Sequence, residues 1–139
     1  MGPMSDQGYP GTPLAKKLRI RPEHRVALLH PPEDWTVAGI PGLPDGVEQA
    51  DGVADTDVAV AFFRTAAELA AEADPLAAAV TGARCLWIAW PRRAAGHSSD
   101  ISDNLLRELL LPTGLVDVKV AALGEDWSGL AFVRRLRNR

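Results

Sequence analysis

The sequence predicts a three-layer α/β domain: a mostly parallel sheet of about six strands flanked by helices and closed by an antiparallel C-terminal hairpin. Three features carry that prediction. Residues 26–29, 57–63 and 85–90 are short, unbroken apolar runs rich in β-branched and aromatic side chains, the pattern of strands buried on both faces. Helix signals follow two of these runs, a capping-box pattern at Thr65-Ala66-Ala67-Glu68 and an amphipathic stretch over residues 101–110. Residues 115–122 then alternate valine with Asp117 and Lys119, and a short connection leads into residues 127–133 as a hairpin partner. Buried strands alternating with helices call for parallel pairing with the helices on the sheet faces.

Taken in order, residues 1–11 read as a flexible leader punctuated by Gly2, Pro3, Gly8, Pro10 and Gly11. Residues 12–135 form the domain. Thr12-Pro13 predicts an N-cap with proline at the first helical position, opening a short helix through Leu18 with Leu14 and Leu18 on one face. Pro22 stops it, residues 26–29 are the first strand, and His30-Pro31-Pro32 ends that strand. Residues 33–40 predict a short helix carrying Trp35, before Gly39, Pro41, Gly42, Pro44 and Gly46 break the pattern. Residues 47–50 predict a short second strand and residues 57–63 the third.

The helix after Thr65 turns Leu69, Ala73, Leu76 and Val80 inward, at spacings of four, three and four. Pro75 within it predicts a kink, or a restart with Asp74 as a new cap. Residues 85–90 are the central strand, ended by Pro91. The next helix puts Ile101, Leu105 and Leu109 on one face and stops at Pro112 and Gly114. Residues 136–139 are a basic tail, and Arg134, Arg135, Arg137 and Arg139 read as a solvated run after the last strand.

At 139 residues, with 47% apolar and 24% charged side chains, the chain has the make-up of one globular domain with a real core. No apolar run approaches the roughly 20 residues of a membrane span, and the N-terminus lacks a secretory pattern. Cys85 stands alone within a strand, which predicts a buried packing residue and a cytoplasmic protein. Arginine far outnumbers lysine and alanine is abundant, which suggests a GC-rich bacterial source. The net charge of −3 hides a pattern: residues 33–74 hold ten acids and a single base, Arg64, while the flanking portions each come to +3. An acidic middle argues against a continuous basic face and so against nucleic acid as the partner.

The order of elements looks like a trimmed version of the Rossmann-like methyltransferase fold, which implies strands lying side by side as second, first, third, fourth, sixth and fifth, the sixth antiparallel. More specifically, GTPLAKKLRI near the start, WIAWPRR in the middle and DWSGLAFVRR at the end resemble an uncharacterised bacterial family, domain of unknown function 3052, over residues 9–135. The resemblance implies a fold and carries over no catalytic residue.

A methyltransferase or dinucleotide enzyme needs a glycine-rich turn after its first strand, so that backbone N–H groups can approach and donate to the cofactor. Here the turn reads His30-Pro31-Pro32-Glu33-Asp34: two donors are removed and two carboxylates would repel a phosphate. The adenosyl cofactor of methyltransferases has no phosphate and tolerates the acids better. Glu48 or Asp51, at the end of the second strand, is the acid expected to hold its ribose.

The leading candidate site is the loop after the central strand. Trp90 offers a stacking surface, Arg92 and Arg93 two guanidinium forks, and Gly96, His97 and Ser99 lead into a helix expected to be capped by Ser99 or Asp100. His30 joins them from the first strand end. His97-Ser98-Ser99-Asp100 lists the residue types of a nucleophilic triad, but four neighbours in a row rarely reach triad geometry. His30, Glu33, Asp34 and His97 show no metal-ligand spacing, so no metal is expected. These features predict a non-catalytic binding or regulatory protein, without cofactor, that recognises a partner protein or small anionic ligand. An exposed sheet edge makes a homo-oligomer an expectation as well. The alternative is a reduced S-adenosylmethionine-dependent enzyme with its cofactor near His30, Glu48 and Trp90.

Overall fold

The computed structural model describes residues 12–135; the leader and the basic tail lie outside them. The chain runs through α1 (Leu14–Lys17), β1 (Arg25–Leu29), β2 (Glu48–Gln49), β3 (Val58–Phe62), α2 (Ala66–Ala79), β4 (Cys85–Pro91), α3 (Asp103–Leu110), β5 (Leu115–Leu123) and β6 (Trp127–Arg134). Short 3-10 turns stand at Val53–Asp55, Arg93–Ala95 and Leu111–Thr113. Among the described residues the strands form one sheet in the order β2-β1-β3-β4-β6-β5. The first four are parallel, and β6 runs antiparallel between β4 and β5. This is the expected Rossmann-like α/β order. No described helix is long and apolar enough to cross a membrane.

The continuous apolar runs are central because they are wetted on neither face. Alternate residues of β3 and β4 feed two cores. Ala59, Ala61, Leu86 and Ile88 face α2 and α3, whereas Val58, Val60, Cys85 and Trp87 face α1 and the irregular segment carrying Val37 and Ile40. The buried indole of Trp87 donates from Nε1 to the Leu18 carbonyl (3.1 Å), which pins the end of α1 to the sheet. Gly129 makes room for that ring, since a Cβ there would stand 3.0 Å from Trp87 and 2.5 Å from Leu123.

Four local expectations are corrected. Residues 33–40 form turns instead of a helix: Thr36 Oγ1 takes the Gly39 N–H (3.0 Å), and the backbone closes with three-residue bonds such as Ile40 N–H to Val37 O. Helix α1 begins one residue later than Thr12-Pro13 suggested, with Pro13 at its N-cap position and no side-chain cap. Helix α2 does not restart at Pro75; the ring lies on an exposed side, Asp74 lies within the helix, and Thr65 is the N-cap, accepting from Glu68 N (3.2 Å). Helix α3 opens at Asp103 with Ser102 as its cap, accepting from Leu105 N (3.2 Å), so neither Ser99 nor Asp100 serves. Its buried face is Leu106 and Leu110, with Leu105 and Leu109 half-buried beside them.

Arg134 is no solvated tail residue. Its guanidinium donates to the carbonyls of Val80 (2.9 Å), Thr113 (2.6 Å) and Ala77, closing the C-terminus of α2. Arg84 donates to Ala79 O (3.2 Å) and Thr56 O (3.1 Å) at the same end. At the sheet edge, β5 carries a bulge between Asp117 and Lys119. The bulge turns Asp117 toward Arg107 of α3 (3.0 Å) and Lys119 toward the Lys17 carbonyl (3.1 Å), leaving Val118 and Val120 exposed.

Candidate functional site

Parallel strands β1 and β3 end side by side, and the chain diverges from them in opposite ways. After β1 it turns at His30, Pro31 and Pro32; after β3 it passes Phe63 and Arg64 into the first turn of α2. A cleft of about 390 Å3 opens between them, lined chiefly by His30, Phe63, Arg64, Glu68, Glu72 and Trp127. Such a cleft at the carboxyl ends of parallel strands is where open α/β sheets bind ligands.

The groups in it are mutually engaged. His30 Nε2 lies 3.0 and 2.9 Å from the two oxygens of Glu72, and its ring packs 5.5 Å from that of Phe63. Glu68 accepts from the Arg64 backbone N–H (3.2 Å), so the first turn of α2 holds an acid where the helix dipole favours one. The Arg64 guanidinium stands 5.1 Å over the Trp127 ring, a cation–π contact at the cleft mouth. Beneath it, Trp127 meets Phe62 edge-on, and Phe62 meets Trp35 the same way, each at 5.0 Å. Arg64, Glu68 and Glu72 are not among the site residues expected from the sequence. Arg64 alone carries a signal there, as the lone base of an acidic stretch just beyond a strand.

The loop after β4 forms the neighbouring rim, and most of its candidate side chains hold the rim together. Arg92 donates from its backbone to Asp126 O (2.8 Å) and from Nη1 to Glu125 O (3.2 Å), and His97 Nε2 lies 2.9 Å from Asp126 Oδ1. Ser99 Oγ donates to Arg64 O (3.0 Å) and accepts from Ile101 N (3.2 Å). Asp100 accepts the Ala66 N–H at the opening of α2 (2.7 Å). Gly96 adopts φ +92° to close the 3-10 turn, a conformation that favours glycine. Arg93 is exposed and shares a recess of about 170 Å3 with the half-buried Trp90 and Ser99 and the exposed Ser102. The fold therefore brings Trp90, Arg93 and Ser99 together, and keeps His30 in the separate cleft beyond Arg64.

An adenosyl cofactor is tested by the residues that would cradle it. Pro31 and Pro32 offer no N–H, and His30 takes the left-handed conformation (φ +54°) a glycine would adopt, filling the space with a ring. The acid expected at the ribose is elsewhere: Glu48 pairs with Arg25 (3.3 Å) at the amino end of β1, because β2 matches only the first two residues of that strand. Asp51 is exposed beyond that short strand. These residues do not fit an S-adenosylmethionine cradle. Among the described residues, no three His, Cys, Asp or Glu side chains converge as a metal site would require.

No family model matches the chain, and no curated protein does, so the resemblance to domain of unknown function 3052 is neither supported nor opposed. Solved structures do. The chain is similar to the Bacillus subtilis M1A22 tRNA methyltransferase TrmK, with a TM-score of 0.52 and 14% identity over 87% of this chain and 64% of that one. It is also similar to the ribosomal protein L11 methylase of Lactobacillus delbrueckii subsp. bulgaricus, with a TM-score of 0.51 and 15% identity over 88% and 76%. The likeness is one of fold: the chain has a methyltransferase-like fold and spans less than two thirds of the length of the tRNA enzyme.

Proposed function

We propose that this chain is a methyltransferase-fold protein that acts by binding, in the cytoplasm, with its site at the carboxyl end of the sheet. One observation supports the reading: a cleft opens over the ends of β1 and β3, while the turn after β1, where a cofactor cradle would stand, reads His30, Pro31 and Pro32. The cleft has aromatic walls and a cation at its mouth. A small ligand with an anionic group meets Arg64 there, with its apolar part against Phe63 and Trp127. A partner protein would meet the same end through Arg93 and Trp90 on the rim.

A second reading, methyl transfer with S-adenosylmethionine, is favoured by the similar structures, both of which bear the names of methyltransferases. The comparisons lean toward this reading and the chemistry of the first turn leans against it. Titration with S-adenosylmethionine, S-adenosylhomocysteine and a panel of small carboxylates separates the two, followed by tryptophan fluorescence and melting temperature. The binding reading expects a carboxylate response that Arg64→Gln abolishes, with no response to the adenosyl compounds. Saturable adenosyl binding with a raised melting temperature overturns it in favour of the enzyme.

A further inference from the structure

The opposite, amino end of the sheet carries a larger concavity. A groove of about 720 Å3 runs between the last turn of α1 and the strand ends, walled by Lys16, Arg19, Arg21 and His24 and floored in part by Val58 and Cys85. Lys16, Arg19 and Arg21 form no ion pair among the described residues. The one carboxylate in the wall, Asp57, is engaged by the Arg25 backbone N–H (2.8 Å). Lys17 and Lys119 stand close by, the ammonium of Lys119 donating to the Lys17 carbonyl (3.1 Å). Burial pushes the Lys119 pKa down, and Arg19 and Lys17 push it further, as expected where positive charge accumulates.

Two details give the groove a chemistry. His24 Nδ1 accepts the Arg21 backbone N–H (3.1 Å), which assigns the proton of the neutral ring to Nε2 and makes that nitrogen a donor. Arg19 occupies the position after the end of α1 in a two-bond helix terminus, Ile20 N to Ala15 O and Arg19 N to Lys16 O, with φ +71°. Glycine is the ordinary residue at that position. An arginine held there in the left-handed region keeps its guanidinium on the groove at a cost in backbone strain, the kind of outlier associated with functional sites.

We propose that this groove binds a small molecule bearing adjacent phosphate groups, such as a nucleoside diphosphate. Three cations without ion-pair partners among the described residues call for more than one negative charge, the arginine forks match phosphate oxygens, and the apolar floor accepts an organic portion. The cations lie within one short stretch around a concavity, which suits a compact ligand better than an extended nucleic-acid backbone.

The test is isothermal titration of the full chain with inorganic pyrophosphate and with ADP, in chloride buffer free of phosphate and sulfate. Saturable binding is expected, at least tenfold weaker in Arg19→Gly and in Arg21→Gln. Arg19→Gly is the decisive variant because glycine suits φ +71°: its melting temperature should hold or rise, so lost binding cannot be ascribed to unfolding. Absence of binding at millimolar pyrophosphate overturns the proposal, as does binding that survives both groove variants. Short single-stranded RNA that binds through Arg19 and Arg21 and is not displaced by pyrophosphate overturns the small-ligand assignment.

Discussion

The two ends of the sheet treat charge in opposite ways. At the carboxyl end, charged groups are largely answered from within the chain: His30 by Glu72, His97 by Asp126, Arg64 by the Trp127 ring. At the amino end the two faces differ. On the α2 face, Arg84 and Arg134 are committed to helix and loop carbonyls. On the α1 face, Lys16, Arg19 and Arg21 line a groove without ion-pair partners among the described residues. Arginines that look alike in the sequence thus divide into those that complete the fold and those that face outward, and only the positions of nearby carbonyls separate them.

Breaking the committed set should cost most. Arg134→Met leaves the carbonyls of Ala77, Val80 and Thr113 without their charged donor and should destabilise by about 2–4 kcal/mol, read as a lower urea midpoint. Trp87→Phe removes the donor to the Leu18 carbonyl and should cost about 1–3 kcal/mol, loosening α1 and with it the amino-end groove. At the carboxyl end the contrast sharpens. Glu72→Gln breaks a half-exposed pair and should move stability by less than about 1 kcal/mol, and His30→Gly should gain a few tenths by relieving φ +54°. A fall of several kcal/mol in either variant would mean the cleft is structural scaffolding.

The pH dependence has a definite sign. Burial raises the Cys85 thiol pKa above its ordinary 9.0, with Arg19 and Lys119 only partly opposing. The folded state therefore keeps this proton where the unfolded chain loses it. The contribution is intact below pH 9 and declines as pH rises from the unfolded value toward the folded one. Lys119, with its pKa lowered, works in the opposite direction, so Cys85→Val should flatten or reverse the alkaline decline measured by denaturant melts at a series of pH values.

Sheet order and strand identity were legible because burial on both faces writes an unbroken apolar run, and helices between such runs force parallel pairing. Residues 33–40 were misread because the apolar spacing suits a helix while the Thr36 hydroxyl competes for the Gly39 N–H. Helix α3 was started too early for a related reason: Ser99, Asp100 and Ser102 are all capping types, and Ser99 and Asp100 are drawn away to Arg64 O and Ala66 N, partners more than thirty residues distant. The cleft was half legible. His30 and the missing glycine turn could be read directly, whereas Arg64, Glu68 and Glu72 become a site only when α2 folds back beside β1.

The proposed function has this methyltransferase-like fold bind a ligand in the cleft over β1 and β3 without an adenosyl cofactor. Amide chemical shifts of the full chain during titration with S-adenosylhomocysteine test it most directly, read at Leu29, His30, Glu33 and Arg64. Shifts that stay flat to millimolar ligand, alongside carboxylate-induced shifts at Arg64, are the predicted result. Saturable shifts centred on Leu29, His30 and Glu33 would contradict it.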